Sequence, residues 1–315
     1  MSAPYVRPDV RAFLDYYNRL PGPRAHQVGA NEARAMILAS RHVSDAPVAE
    51  LAAIRDLSCP GPGGPIALRL YDARESREAG PLLVFFHGGG FVFGDLDTHE
   101  PFCAEIARQL DLPVLAVDYR LAPEHPFPAG AEDCIAAARW AAASPAALGL
   151  DVTGLVTCGD SAGGNFTIVA GLALRDEPAA VPVIAQWPIY PAADPARGYP
   201  SFEDFAEGWF LSRDGMKWFD GCYRPDKADW RYSPLLRTQA GMPATLVQTA
   251  SLDPIRDQGR AYAAACSTAG VPTIFLEAKG NIHGFINLRR AIPSSQGDIE
   301  AGVEALKLIL AGAGR

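Results

Sequence analysis

Lysine is scarce in this chain: Lys217, Lys227, Lys279 and Lys307 are the only four in 315 residues, so nearly all the basic charge is arginine. A bias of that kind points to a GC-rich genome rather than to an anion site. Positive charge as a whole is in deficit, with a formal net charge of -8. That leaves no basic footprint for a phosphate backbone and excludes nucleic acid as an expected partner. Paired cysteines are missing: Cys59, Cys103, Cys134, Cys158, Cys222 and Cys266 stand singly, with no C-x-x-C and no histidine at zinc-ligand spacing. Buried free thiols are the expectation. No uninterrupted apolar run reaches about 18 residues, so no membrane span is expected. The first residues carry charge and proline where a secretory signal needs an apolar core, and the expected location is cytoplasmic. Repeats, low-complexity runs and Gly/Ser linkers are also absent, which argues against independent domains.

What is present is an alternation. Short apolar runs at 82–86, 113–117, 155–158, 183–187, 245–248 and 272–276 read as strands buried on both faces. Between and after them, 98–109, 129–143, 162–175, 255–269 and 299–310 carry apolar residues at helical spacing. Strand and helix in alternation imply an α/β fold with a mostly parallel central sheet flanked by helices. Two stretches break the rhythm: the helical, Arg-rich residues 1–50, and 195–240, where Phe202, Phe205, Trp209, Phe210, Trp218, Phe219, Tyr223, Trp230 and Tyr232 crowd together. Both read as a helical cap over a catalytic domain formed by 51–194 and 241–315. The aromatic crowding fits a satellite core and a pocket wall equally well.

The third of those strands runs into Gly159-Asp160-Ser161-Ala162-Gly163, a G-x-S-x-G match followed at once by a helix. That is the strand–turn–helix context of a nucleophile elbow. The requirement is steric, because a serine forced into a tight turn leaves no room for side chains two residues either side of it. Alone the match is weak, since on the order of one chain in ten of this size contains it by accident. The run His87-Gly88-Gly89-Gly90, directly after strand 82–86, removes most of that doubt. Consecutive glycines expose N–H groups, and Gly88, Gly89 and Ala162 are the expected donors to a developing oxyanion. One such donor is worth roughly 3 kcal/mol.

Hydrolases built on this elbow present serine, then acid, then histidine along the chain, and His283 is the only histidine beyond Ser161. His26, His42, His87, His99 and His125 are excluded as the base by order. The acid is less forced, because Asp194, Asp204, Asp214, Asp220, Asp226, Asp229, Asp253, Asp257 and several glutamates lie between the two. Asp253 follows strand 245–248 closely and precedes Pro254 at a helix start, which suits an orienting carboxylate, although an N-cap there would look the same. Asp257, a helical turn further on, better suits a salt bridge with Arg256 or Arg260.

Taken together, His87 to Phe91, Asp118-Tyr119-Arg120-Leu121-Ala122-Pro123-Glu124, Gly159 to Asn165, Asp253 to Asp257 and His283-Gly284-Phe285 resemble the hormone-sensitive-lipase-like esterases. The resemblance runs from about residue 80 to 290 and implies an α/β-hydrolase fold. It also implies a carboxylesterase for short to medium acyl chains, with Ser161 as nucleophile, His283 as base, Asp253 as acid and no metal or cofactor. Homodimerisation through a sheet edge is a further implication. Asp118 to Glu124 and Asp160 are expected to brace loops near the elbow. Departures from the family pattern are Ile255 in the acid motif and Asn281-Ile282 before the histidine, where Asn281 could alter the pocket. Amides, thioesters and lactones are open as substrates, since the fold does not fix the leaving group. A ligand-binding protein on the same scaffold, as in related plant hormone receptors lacking the histidine, is disfavoured by His283.

Overall fold

The computed structural model describes residues 4–313. Its eight strands are β1 (Ala53–Gly61), β2 (Gly64–Asp72), β3 (Gly80–Phe86), β4 (Val114–Asp118), β5 (Val152–Asp160), β6 (Val183–Ile189), β7 (Ala244–Leu252) and β8 (Thr273–Ile282). They form one sheet in the order β1-β2-β4-β3-β5-β6-β7-β8. The pairings β1–β2 and β2–β4 are antiparallel and all others parallel. The six strands expected from apolar runs are β3 to β8. The first two were not expected, because β1 is mostly exposed and interrupted by charge.

Each central strand feeds two layers. Leu82, Val84 and Phe86 of β3 point into one core and Leu83 and Phe85 into the other, all fully buried. That alternation follows from the two-residue period of a strand. Helices α3 (Glu100–Leu110) and α9 (Ser295–Ala313) cover the second face, through residues such as Phe102, Ile106, Ile299, Val303 and Leu306. The first face is covered by α4 (Ala129–Ala142) and α5 (Ala162–Asp176), with α8 (Arg256–Thr268) packed beside them. Among the described residues, no helix is long and apolar enough to cross a membrane.

The two excursions meet over the C-terminal ends of the strands. They contribute α1 (Pro8–Arg19), α2 (Ala30–Ser44), α6 (Pro200–Asp204) and α7 (Arg213–Tyr223). Val10 and Leu14 of α1 pack with Phe205, Leu252, Ile282, Leu288 and Ile292, next to Phe210 and Trp209. Arg34 of α2 donates to the carbonyls of Val92 (2.8 Å) and Ala122 (2.9 Å) and pairs with Glu124. The aromatic crowd divides in two. Tyr223 and Tyr232 are buried members of the main core, with Trp218, Phe219 and Trp230 packed against it, whereas Phe205, Trp209 and Phe210 join α1 in a separate cluster.

One buried ion pair ties the end of α2 to the segment after β8. Arg289 Nε and Nη2 donate to the Asp45 carboxylate at 2.7 and 3.0 Å, with both side chains almost wholly out of solvent. Removing one partner strands a buried charge. Asp45→Ala should therefore destabilise the fold by about 3 kcal/mol, measured as a fall in the denaturation midpoint. A loss below about 1 kcal/mol would show that Arg289 finds another partner.

Candidate active site

At the end of β5 the chain turns through Ser161, which holds φ 56° and ψ -114°, before α5 begins at Ala162. A non-glycine residue in that region stores about 1–3 kcal/mol of strain. The surroundings hold it: Ser161 N–H donates to Ile189 O at 2.9 Å, and its carbonyl accepts from the N–H of Asn165 (3.0 Å) and Ala192 (3.2 Å). A side chain on Gly159 or Gly163 would collide with the Phe86 carbonyl. Close approach of β3 to the elbow, not flexibility, is what demands these glycines.

His283 follows the last residue of β8, so the strand itself carries the imidazole to the sheet's end. Its Nε2 lies 2.9 Å from Ser161 Oγ and its Nδ1 2.7 Å from Asp253 Oδ2. Asp253, fully buried, follows directly on β7. Its other oxygen, Oδ1, accepts the Ile255 N–H at 2.8 Å. The N-cap of α8 is Ile255, so Asp253 is not the cap itself. With Oδ1 fixed by the backbone, Oδ2 is the oxygen presented to the ring. Nδ1–H then donates to Asp253, and Nε2 is left to accept the serine proton.

The glycine loop after β3 is fixed peptide by peptide. The peptide joining His87 and Gly88 is held at both ends, since Tyr119 Oη–H donates to His87 O (2.7 Å) and Gly88 N–H donates to Asp160 Oδ1 (2.7 Å). In the next peptide, Gly88 O lies 2.8 Å from His87 Nδ1. Burial, and secondarily the neighbouring His99, push His87 down to about 4, so the ring is neutral at pH 7 and Nδ1–H is the donor. C=O and N–H of a trans peptide point in opposite directions. Holding Gly88 O on one side therefore aims Gly89 N–H to the other. The N–H groups of Gly89 and Gly90 have no partner among the described residues. That of Ala162, the first residue of α5, has no acceptor within its own helix. Gly88 thus departs from expectation: its N–H is committed to Asp160 and is not free for an oxyanion. The motif shows glycines but not which N–H each neighbour occupies.

Other motif residues sort by contact. Arg120 forks onto Asp133, and Glu124 holds Arg34, as expected of bracing residues. Asp257 pairs with Arg256 and Arg260. Asn281 is turned away from the site, donating to Ser295 Oγ (3.1 Å) and Asp298 Oδ2 (2.8 Å), so it does not shape the pocket. Two residues that the motifs did not single out lie close to the centre. His99 Nε2 is 3.2 Å from Asp160 Oδ1, and the buried Tyr190 ring lies 4.6 Å from that of His283, centroid to centroid. Phe210 sits over Gly284, the residue after His283, and Phe219 over Gly90. Among the described residues, no cluster of three or more His, Cys, Asp or Glu side chains is arranged to hold a metal ion.

Comparison with known proteins points to the same fold. The family model described as alpha/beta hydrolase fold matches residues 83–287. The carboxylic ester hydrolase LipN of Mycobacterium tuberculosis is 42% identical over 75% of this chain, a match spanning 65% of LipN's own length. An ethyl acetate hydrolase of Pseudomonas putida is 34% identical over 96% of this chain and 98% of its own. Among solved structures, the α/β hydrolase LAE6 from the metagenome of Lake Arreo superposes with a TM-score of 0.93 at 36% identity, covering 98% of this chain and 99% of LAE6. The chain belongs to the α/β-hydrolase family, in the branch of hormone-sensitive-lipase-like esterases that its five motifs resemble.

Proposed function

We propose that the chain is a serine carboxylesterase for esters of short to medium acyl chains, working through Ser161, His283, Asp253 and an acyl-enzyme. The observation that carries this reading is the unbroken relay from Asp253 Oδ2 to His283 (2.7 Å) and from His283 to Ser161 Oγ (2.9 Å). It ends on a strained serine beside free backbone N–H groups. The names of LipN and of the ethyl acetate hydrolase support the ester as substrate.

In this mechanism His283 Nε2 takes the serine proton as Oγ attacks the carbonyl carbon, and returns it to the departing alcohol. Water then attacks the acyl-enzyme with the same base. The carbonyl oxygen becomes an anion at the tetrahedral stage. Gly89, Gly90 and Ala162 are the donors we assign to it, with Gly88 holding the loop instead. The excursions 1–50 and 195–240 act as the cap, and Phe210 and Phe219 are its pocket-facing aromatics. Dimerisation through β8, the sheet's outer strand with Phe275 exposed, belongs to the same reading.

The test is a turnover panel of nitrophenyl acetate, butyrate, octanoate and palmitate with a matched butyryl anilide. Turnover greatest at acetate or butyrate, and at least about a hundredfold above the anilide, is expected. A preference for the anilide would replace esterase by amidase, and one for palmitate would overturn the chain-length assignment.

A further inference from the structure

A carboxylate taken fully out of water is costly unless every lone pair it presents finds a donor. Asp160, the residue before the nucleophile, is such a group, only 3% exposed. Its Oδ1 accepts the Gly88 N–H at 2.7 Å and lies 3.2 Å from His99 Nε2, while its Oδ2 lies 3.3 Å from the Tyr190 hydroxyl. Burial by itself would raise the carboxyl's pKa. The charge interaction and hydrogen bond with His99, together with the Gly88 N–H, outweigh burial and hold it below the usual carboxylate range. Asp160 is therefore an anion in neutral solution. Tyr190 is its complement, because burial and that same anion push the phenol well above its ordinary value and keep the hydroxyl as a donor.

Tyr190 is itself held in an unusual position. It follows β6 with φ 32°, and its N–H donates to Gln248 O. Its ring packs on His283 at 4.6 Å with the planes inclined at 54°, and on Phe285 at 5.2 Å. The same side chain thus packs its ring against the imidazole and meets the Asp160 carboxylate with its hydroxyl.

We infer that Asp160 and Tyr190 are a coupled pair of positioning residues: one buried carboxylate fixes the oxyanion loop through Gly88 and, through the Tyr190 hydroxyl, the ring on which His283 rests. The two halves of the catalytic apparatus, the N–H groups that meet the oxyanion and the base that moves the proton, then share one anchor. Neither residue touches substrate. Their effect falls on the transition state, for which both halves must be aligned at once, and leaves substrate binding nearly unchanged. The inference rests on the triad chemistry proposed above.

The experiment compares the unaltered enzyme with Tyr190→Phe, Asp160→Ala and the double variant on nitrophenyl butyrate. Rates are expressed per active serine, titrated with a fluorophosphonate. Tyr190→Phe keeps the ring on His283 and removes one oxygen. It should lower kcat per titrated serine about tenfold with KM within about twofold. Adding it to Asp160→Ala should cost less than a further threefold, since the partner of the hydroxyl is already gone. Tyr190→Phe alone decides the matter if Asp160→Ala fails to fold. A kcat within twofold of the unaltered enzyme, or a loss confined to melting temperature and titratable fraction, would overturn the coupling. Absence of ester turnover in the unaltered enzyme would instead overturn the functional reading beneath it.

Discussion

Ser161→Ala should lower kcat for a short-chain nitrophenyl ester by about six orders of magnitude, with little change in KM. The size of the effect follows from what is lost. Without Oγ there is no covalent intermediate, and His283 retains only the option of activating water from a position built for a hydroxyl 2.9 Å away. What survives is a carbonyl bound beside free N–H groups, and such a remnant still accelerates hydrolysis by about 10³ to 10⁴ over water. Measurement requires protein purified apart from any unaltered esterase, because contamination at one part in ten thousand would mask the loss. Turnover within tenfold of the unaltered enzyme would exclude Ser161 as nucleophile.

Asp253→Asn is the second large effect, expected at about 10⁴-fold in kcat with the fold intact. Here the local geometry gives the reason. The Ile255 N–H already claims Oδ1 of this residue at 2.8 Å, so an asparagine keeps its oxygen there and turns its NH2 to His283. The ring must then accept at Nδ1 and carry its proton on Nε2, facing Ser161, where it cannot take another. Asp257→Asn serves as the control, because Asp257 is engaged with Arg256, Arg260 and the Ser201 N–H rather than with the imidazole. It should stay within a few-fold of the unaltered enzyme. A large loss in Asp257→Asn with none in Asp253→Asn would exchange their roles.

The sequence carried much of this, and its failures have physical causes. Apolar runs found β3 to β8 because strands buried on both faces have no polar alternation to hide them. The hairpin β1–β2 escaped, since β1 is open to solvent. The alternation of Ile66, Leu68 and Leu70 in β2 was a readable period-two signal for half of it. The contact of His283 with Ser161 and Asp253 was legible because chain order leaves one histidine and strand ends favour one aspartate. Which glycine N–H the loop commits was not legible, as Gly88 looks identical to Gly89 in sequence. What separates them is the Asp160 carboxylate, seventy-two positions away along the chain. Tyr190 was invisible for a related reason. A tyrosine after an apolar run reads as core, and nothing local reveals that its ring meets an imidazole from β8. The aromatic stretch from 195 to 240 likewise could not announce that Tyr223 and Tyr232 belong to the main core while Phe210 faces His283's neighbour.

Fluorophosphonate labelling, with the modified peptide identified by mass spectrometry, addresses the nucleophile's reactivity itself. One label per chain, located on Ser161 and strongly suppressed in His283→Ala, is the expected result. Label on another residue, or equally fast labelling of Ser161 without His283, would contradict an activated serine driven by that imidazole.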